Sequence, residues 1–354
     1  MPRVIGSKSR LYQEIILSAS VRQSRAAVEQ RNAIVPQMRN YDELGMRQEW
    51  VPHLMYFHPK NVVLDSVSTN EFGFRNTTGN KPGAPTALLV GGSSVFGIGA
   101  TSDAATIPSL LNATTKFNWL NFGGRAFNST QEAILVHLAN VQKIDGPIVV
   151  MSGVNNLTRS LMSGSFSKMF GAFFHQGLFE SQMRSAAVGN RALARQLADG
   201  LLERFGVGKK RHSQPLSNTS HSKAASYDAM LTVFERDCAY LKMVANEKST
   251  SVSFVLQPFI PWMNKSLTSQ ETELFRLLDQ EAGDFSHVLG ELSELKQKYV
   301  SDLHSICSRV GLKFLDLNDV AELNRPDWLF VDRAHFTDKG NEILSRIILL
   351  GLNL

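Results

Sequence analysis

The sequence is poor in cysteine, and this absence excludes two classes of protein. Cys238 and Cys307 are its two cysteines among 354 residues, and neither belongs to a CxxC motif or a Cys/His cluster. A disulfide scaffold is therefore excluded, and no zinc site is indicated. The chain fits a reduced compartment, and nothing in it calls for a metal or an organic cofactor.

Long apolar runs are also missing, as is a strong excess of charge. No segment approaches the roughly 18 apolar residues of a membrane span, and the basic N-terminus contains only the short run "IIL". The net charge of +5 is a mild excess for this length. We interpret it as a solvated basic face rather than a nucleic-acid surface, and we predict a cytoplasmic protein without a membrane span.

What the sequence does contain is an alternation of strand-like and helical patterns. Five short apolar runs separated by helical patterns are typical of βαβ units, which form a parallel sheet covered by helices on both faces. We predict a flavodoxin-like three-layer α/β/α fold with a five-stranded parallel sheet. The predicted strands are residues 86–90, 117–122, 147–151, 252–257 and 312–317.

Two regions depart from this alternation. Residues 1–85 begin with helical composition and become rich in Gly, Pro and Asn, which predicts an N-terminal helical and loop-rich extension before a domain at 86–354. Residues 158–225 contain a segment rich in Phe and Met, then a basic amphipathic stretch and a polar linker. They predict a helical insertion, which we interpret as packed on the rim of the domain, with a lid as the alternative.

Unusual residues cluster just after the predicted strands, where parallel sheets carry their active sites. The first cluster, "GGSSVFGIG", lacks the lysine of a phosphate-binding loop and does not match GxGxxG. It is accompanied by three further segments along the chain. These are "NFGGRAFNSTQE" after the second strand, "SGVNNL" after the third and "VDRAHFTDKGNEIL" before the last helix.

Together the four segments supply every part of a nucleophilic mechanism. Ser93 is the candidate nucleophile, on a turn that its preceding glycines permit, and we prefer it to Ser94. His335 is the candidate base and Asp332 the carboxylate that orients it. Asn155 and backbone N–H groups of the Ser93 turn and the "GGRA" loop are candidate donors to an oxyanion.

In these four blocks the sequence resembles the SGNH or GDSL hydrolases, and more closely the bacterial branch with GGS in place of GDS. The resemblance spans residues 86–350 and implies the same fold and a serine hydrolase activity without a cofactor. The matching positions are Gly91-Gly92-Ser93, the loop from Gly123 to Ala126, Gly153-Val154-Asn155-Asn156 and Asp332-Arg333-Ala334-His335.

Some positions depart from the family pattern. Gly92 replaces the aspartate of GDS, which is not a triad member, and Asn156 replaces the aspartate of GxND. The glycine of the second block aligns with Gly123, Gly124 or Ala126. We therefore name Ala126 and Gly123, together with Asn155, as the oxyanion-hole candidates.

The resemblance implies a serine esterase that hydrolyses O-acyl esters, with O-acetylated carbohydrate as the first substrate class. An O-acyltransferase of surface polysaccharide is the alternative enzyme, and a non-catalytic glycan-binding protein is the alternative from another class. Gln257 and Trp262 fall near the expected mouth of the site, where Trp262 would either stack on a sugar or pack in the core. We interpret His137, His175 and His304 as surface or packing residues, and the oligomeric state stays open.

Overall fold

The computed structural model of the chain describes residues 19–139, 143–163, 166–177, 179–180, 222–280 and 288–354. The start of the predicted N-terminal helix and nearly all of the basic stretch and polar linker of the insertion lie outside the described residues. Among the described residues, no helix is long and apolar enough to cross a membrane.

The predicted five-stranded parallel sheet is confirmed, with every strand boundary within one residue of its predicted position. Its spatial order is β2-β1-β3-β4-β5, which is the flavodoxin-like order. The strands are β1 Thr86–Gly91, β2 Asn118–Gly123, β3 Ile148–Ser152, β4 Val252–Leu256 and β5 Lys313–Asp316.

The strands read as continuous apolar runs because both faces of the sheet are buried. Leu88 and Val90 of β1 belong to one hydrophobic core, whereas Ala87 and Leu89 belong to the other. Successive side chains of a strand point to opposite faces, so one strand contributes to both cores. The sheet is thus the middle layer of three.

The described helices form the two outer layers. Helices α5, α6, α7 and α10 cover the first face of the sheet, and α1, α4, α8 and α11 cover the second. In chain order the helices are α1 Ala19–Ile34, α2 Met38–Met46, α3 Ser93–Phe96, α4 Ile107–Thr114, α5 Ser129–Ala139, α6 Val154–Met162, α7 Lys223–Glu247, α8 Ser269–Gln280, α9 Leu289–Glu294, α10 Lys296–Val310 and α11 Asp338–Leu352.

The described part of the N-terminal extension, residues 19–85, packs against the domain that follows it. Leu54 and Phe57 belong to the core on the first face of the sheet, and Tyr41 and Leu44 belong to the core on the second. Burial of these side chains contributes to the stability of both cores. The extension is therefore placed to contact the loops at the carboxyl edge of the sheet.

The sequence "TSQE" predicts a capping box at the start of α8, and the structure contains it. The Glu271 N–H donates to Thr268 Oγ1 at 3.2 Å, and the Thr268 N–H donates to Glu271 Oε2 at 2.9 Å. The other carboxylate oxygen of Glu271 accepts from the Leu329 and Phe330 N–H groups. This cap therefore also holds the segment that leads to Asp332.

The sequence "STQE" likewise predicts a capping box of Ser129 and Glu132 at the start of α5, but the observed cap lies one residue earlier. The Ser129 hydroxyl donates to Asp237, and Glu132 lies buried with Oε1 accepting from another side chain. The cap is formed instead by Asn128 and Gln131. The Gln131 N–H donates to Asn128 Oδ1 at 3.2 Å, and the Asn128 N–H donates to Gln131 Oε1 at 3.3 Å.

Candidate active site

Two glycines give the turn after β1 its shape. A Cβ on Gly91 would lie 2.2 Å from the Met151 carbonyl oxygen, so no side chain fits there. A Cβ on Gly92 would lie 3.0 Å from Asn155 Nδ2. The glycine that replaces the aspartate of GDS thus lets the Asn155 amide approach the backbone just before Ser93.

The structure brings Ser93, His335 and Asp332 together. His335 Nε2 lies 2.6 Å from Ser93 Oγ, and His335 Nδ1 lies 2.6 Å from Asp332 Oδ2. Ser93 begins α3 directly after β1, whereas the other two residues precede α11. Residues more than 240 positions apart in the sequence therefore meet at the carboxyl edge of the sheet.

Asp332 orients the His335 ring. Burial raises the pKa of Asp332, but the nearby His335 side chain and hydrogen bonds outweigh burial, so the pKa lies below its ordinary value. Asp332 Oδ1 also accepts from the Ala334 and His335 N–H groups at 2.8 and 2.9 Å. An ionised Asp332 accepts from His335 Nδ1–H, which leaves Nε2 to accept the Ser93 hydroxyl proton.

The hydroxyl of Ser94 points away from His335 Nε2. Ser94 Oγ donates to the Ala334 carbonyl at 2.9 Å and accepts from Gln257 Nε2 at 3.1 Å. The Ser94 side chain is buried, and these are its two hydrogen bonds with the described residues. Ser94 thus joins the serine turn to the loop that carries His335.

Two donors face the space beside Ser93. Asn155 Nδ2 donates one hydrogen to the Phe127 carbonyl at 2.7 Å, which leaves its second hydrogen for another acceptor. Ala126 adopts a positive φ of 57°, and its N–H has no hydrogen-bond partner among the described residues. Both residues line the same cavity as Ser93, and each has an N–H that no described residue accepts.

The N–H of Gly123, the other oxyanion-hole candidate in this loop, already has a hydrogen-bond partner. Gly123 is the last residue of β2, and its N–H donates to Asn121 Oδ1 at 3.0 Å. The neighbouring Gly124 N–H donates to the Gly91 carbonyl at 2.9 Å. Because both amides are already satisfied, Ala126 is the member of this loop that retains a free N–H.

Gln257 and Trp262, which the sequence places near the site, differ in their surroundings. Gln257 lines the cavity, as its place after β4 predicts. Trp262 instead lies buried against Phe259, and its Nε1–H donates to the Leu292 carbonyl at 2.8 Å. The packing alternative is therefore correct for Trp262, which is not placed to stack on a sugar.

Asn156 follows Asn155 in α6 and connects this helix to α5. Its Oδ1 accepts from the Ser129 N–H at 3.1 Å, and its Nδ2 donates to Ser129 Oγ at 2.8 Å. These contacts tie the start of α6 to the start of α5. An asparagine serves this purpose, which explains how the chain accommodates the departure from the aspartate of GxND.

His58, from the N-terminal extension, contacts the loop from Gly123 to Ala126. Its position there was not identified from the sequence. Burial lowers its pKa to about 3, so the ring is neutral at pH 7. Its Nδ1–H donates to the Gly73 carbonyl at 3.1 Å, and its Nε2 accepts from the Arg125 N–H at 3.3 Å. His58 therefore holds the residue next to Ala126, through a contact that no local pattern signals.

The insertion contributes to the wall of the cavity as well. Phe174 and His175 line it, which places His175 at the site rather than in the general class of surface or packing residues. The Ala172 carbonyl accepts from Asn128 Nδ2 at 2.9 Å, which ties this segment to the start of α5. The cavity has a volume of about 340 Å³ and lies over the carboxyl ends of the strands.

The sequence matches no protein-family model and no curated protein. Among solved structures it is similar to an acetyl xylan esterase, at 10% identity over 75% of this chain and 99% of that one, with a TM-score of 0.39. It is also similar to a catalytic mutant of an acetylxylan esterase from Geobacillus stearothermophilus, at 14% identity over 78% and 97%, with a TM-score of 0.39. A GDSL-like lipase from Bacteroides ovatus has 12% identity over 77% and 55%, with a TM-score of 0.37. The chain is thus similar to solved structures of acetyl xylan esterases and of a GDSL-like lipase, the class of hydrolase that its four sequence blocks resemble.

Proposed function

We propose that the chain is a serine esterase of the SGNH type, with Ser93 as nucleophile, His335 as general base and Asp332 as the residue that orients it. The observation that carries this proposal is the pair of 2.6 Å contacts that link Ser93 Oγ to His335 and His335 to Asp332. Such a chain of contacts is what a serine needs to become nucleophilic at neutral pH.

In the first half-reaction Ser93 Oγ bonds to the ester carbonyl carbon and its proton passes to His335 Nε2. The ionised Asp332 stabilises the resulting imidazolium. When the tetrahedral intermediate collapses, the bond between the carbonyl carbon and the alcohol oxygen breaks. His335 gives its proton to that oxygen, so the alcohol leaves and the acyl group stays on Ser93.

Water completes the cycle. It attacks the acyl-enzyme while His335 takes one of its protons, and collapse of the second intermediate returns that proton to Ser93 Oγ and releases the acid. The Ala126 N–H and the Asn155 amide bind the negative carbonyl oxygen in both halves. Each donor of this type contributes roughly 100- to 1,000-fold to the rate.

The proposed substrates are short O-acyl esters, with O-acetyl groups on carbohydrate as the first class. A cavity of about 340 Å³ is near the lower end of the size range of ligand pockets. It suits a short acyl group with part of an alcohol. The sugar class itself follows from the resemblance to the SGNH hydrolases.

The proposal predicts that the purified protein hydrolyses 4-nitrophenyl acetate and that Ser93→Ala lowers kcat by at least about 1,000-fold, because the nucleophile is removed. A fluorophosphonate probe should label the wild type and Ser94→Ala, which keeps the nucleophile, but not Ser93→Ala. Circular dichroism and urea unfolding check that Ser93→Ala remains folded. Undiminished turnover or labelling in folded Ser93→Ala would overturn the assignment.

A further inference from the structure

Two arginines, one that lines the cavity and one that packs against a lining residue, have no carboxylate partner among the described residues. Arg125 lines the cavity beside Ala126, and Arg159 lies one helical turn after Asn155 on α6. The Arg159 guanidinium carbon lies 5.9 Å from the centre of the Phe174 ring, which also lines the cavity. Within the described part of the chain, neither arginine forms an ion pair.

The Arg159 guanidinium also forms no hydrogen bond with the described residues. Its Nε is buried with no partner, and none of its other donors has one among the described residues. Glu180 attracts it but is not in contact with it, and the Glu180 carboxylate accepts from Gln176 Nε2 at 2.7 Å. Leaving a buried donor of a charged group unsatisfied is unfavourable, so such an arrangement suits a site that awaits an acceptor.

Arg125 is held in place with most of its donors unused. Nη1 donates to the Tyr41 carbonyl, which is the side chain's one hydrogen bond among the described residues. A Cβ on Gly45 would lie 2.8 Å from Nη1 and 2.9 Å from Nη2, so the absence of a side chain there makes room for the guanidinium. Arginine stays protonated at neutral pH, and its planar donors match a carboxylate.

The carboxylates that line the cavity contact other side chains than these two arginines. Asp332 is paired with His335, and Asp279 accepts from Arg333 Nη2 at 2.8 and 2.9 Å. His175, which also lines the cavity, is kept neutral because burial and the charges of Arg125 and Arg159 lower its pKa. Arg125 and Arg159 therefore keep guanidinium groups that no carboxylate among the described residues contacts.

We propose that this site selects acyl esters that also carry a carboxylate, and that Arg125 and Arg159 bind that carboxylate. The proposal rests on the esterase function proposed above and specifies its substrate class. The carboxylate would belong either to the alcohol part, as in an acetylated acidic sugar, or to the acyl part, as in a monoester of a dicarboxylic acid.

Two matched pairs of esters test this selectivity and separate its two sources. For the alcohol part we compare 3-acetoxybenzoate with 3-acetoxybenzamide, and for the acyl part 4-nitrophenyl hydrogen adipate with 4-nitrophenyl methyl adipate. In one pair we expect kcat/KM to be at least about tenfold higher for the anionic ester. That preference should weaken as salt is added, because salt screens the attraction.

Variants assign the preference to the two arginines. Arg125→Gln and Arg159→Gln should each bring the anionic-to-neutral ratio of kcat/KM toward one, while Arg125→Lys should keep part of it. Arg309→Gln is the control, since Arg309 is an exposed arginine paired with Glu235, and it should leave the ratio unchanged. If Arg125→Gln fails to fold, Arg159→Gln and the wild type still carry the test.

The possible results distinguish failure of the selectivity for anionic esters from failure of the proposed esterase activity. Equal or lower kcat/KM for the anionic member of both pairs in the wild type would overturn the selectivity while turnover of the neutral esters upholds the esterase. An unchanged ratio in folded Arg125→Gln and Arg159→Gln would overturn the assignment to these arginines. Absence of turnover with all four esters would overturn the esterase itself.

Discussion

Adjacent hydroxyls on the serine turn differ in what they contact. Ser93 Oγ lies 2.6 Å from His335 Nε2 and lines the cavity, whereas Ser94 Oγ donates to the Ala334 carbonyl beside that histidine. One hydroxyl therefore faces a base and the other fixes the loop that carries the base. Ser94 is a positioning residue in this arrangement, since it does not touch the space in which an ester would bind.

The positioning role of Ser94 predicts a partial loss of activity in Ser94→Ala. The variant leaves Gln257 Nε2 and the Ala334 carbonyl without this partner, and a hydrogen bond of this kind contributes about 0.5–1.5 kcal/mol. We expect kcat for 4-nitrophenyl acetate to fall roughly 3- to 10-fold with little change in KM, as initial rates will measure.

The control for Ser94→Ala is Ser345→Ala. Ser345 is also buried, and its hydroxyl donates to the Glu342 carbonyl at 2.8 Å, within α11 and away from the cavity. The control should lose a comparable free energy of unfolding without losing kcat. A fall in kcat of the same size in both variants would contradict a positioning role for Ser94.

The sequence identifies the proposed nucleophile and its partners more readily than the proposed donors. Ser93, Asp332 and His335 lie in short motifs that match blocks of the SGNH or GDSL hydrolases. The choice between Gly123 and Ala126 depends on which amide is already bonded, and the Asn121 side chain that satisfies Gly123 is identifiable only in the folded chain. Short motifs therefore name the reacting groups, whereas tertiary contacts decide which backbone donors stay free.

At the level of elements, one arginine of the N-terminal extension anchors the short helix α3. Arg75 is fully buried, and it satisfies two carbonyls at the end of that helix, where no intrahelical donor remains. It thereby connects the extension to the turn that carries Ser93. Its hydrogen-bond acceptors are Asp103 Oδ1, Tyr41 Oη and the carbonyls of Phe96, Gly97 and Ser66.

We predict that Arg75→Lys destabilises the protein although it keeps the positive charge. A lysine has three donors on one atom and cannot reach acceptors on several sides, so buried carbonyls are left without partners. The expected loss is about 2–4 kcal/mol in the free energy of unfolding, measured by urea denaturation. Arg309→Lys, at an exposed ion pair, should change it by less than about 0.5 kcal/mol. Equal effects in the two variants would contradict the anchoring role.

Elements differ in how well local sequence specifies them. The strands are predicted within one residue because burial on both faces requires an unbroken apolar run, which the sequence displays directly. The start of α5 is misassigned because Ser129 and Glu132 match a capping pattern but bond to Asp237 and Ser152 instead. Local propensity therefore fails where long-range polar contacts compete for the same side chains.

Across the whole molecule, two buried titratable groups make stability depend on pH in opposite directions. Burial raises the pKa of Glu132 to about 8 from a model-peptide value near 4.5, and burial lowers the pKa of His58 to about 3 from 6.5. Between pH 4.5 and 8 the folded state holds a proton on Glu132 that the unfolded chain releases, so stability falls as pH rises. Between pH 6.5 and 3 the unfolded chain protonates His58 while the folded state does not, so stability falls as pH drops.

The two effects oppose each other between pH 4.5 and 6.5, which predicts a plateau of stability in that window. Of these two groups, only Glu132 changes the free energy of unfolding with pH above pH 6.5, and only His58 does so below pH 4.5. Each limb has a slope of roughly 1 kcal/mol per pH unit where one group acts alone. Urea denaturation of the wild type from pH 3 to pH 9 measures both limbs, and a steady rise in stability from pH 6.5 to 8 would contradict the Glu132 assignment.

Replacing Glu132 with glutamine isolates the alkaline limb. Glutamine has the shape of the protonated acid and no proton to lose, so Glu132→Gln should flatten the fall in the free energy of unfolding between pH 6.5 and 8. Its stability at pH 5 should be equal to or below that of the wild type, because the new amide meets the position where Glu132 Oε2 has no partner among the described residues. Glu29→Gln, at an exposed ion pair with Arg25, should keep the wild-type slope. If Glu132→Gln loses as much stability from pH 6.5 to 8 as the wild type does, another group governs that limb.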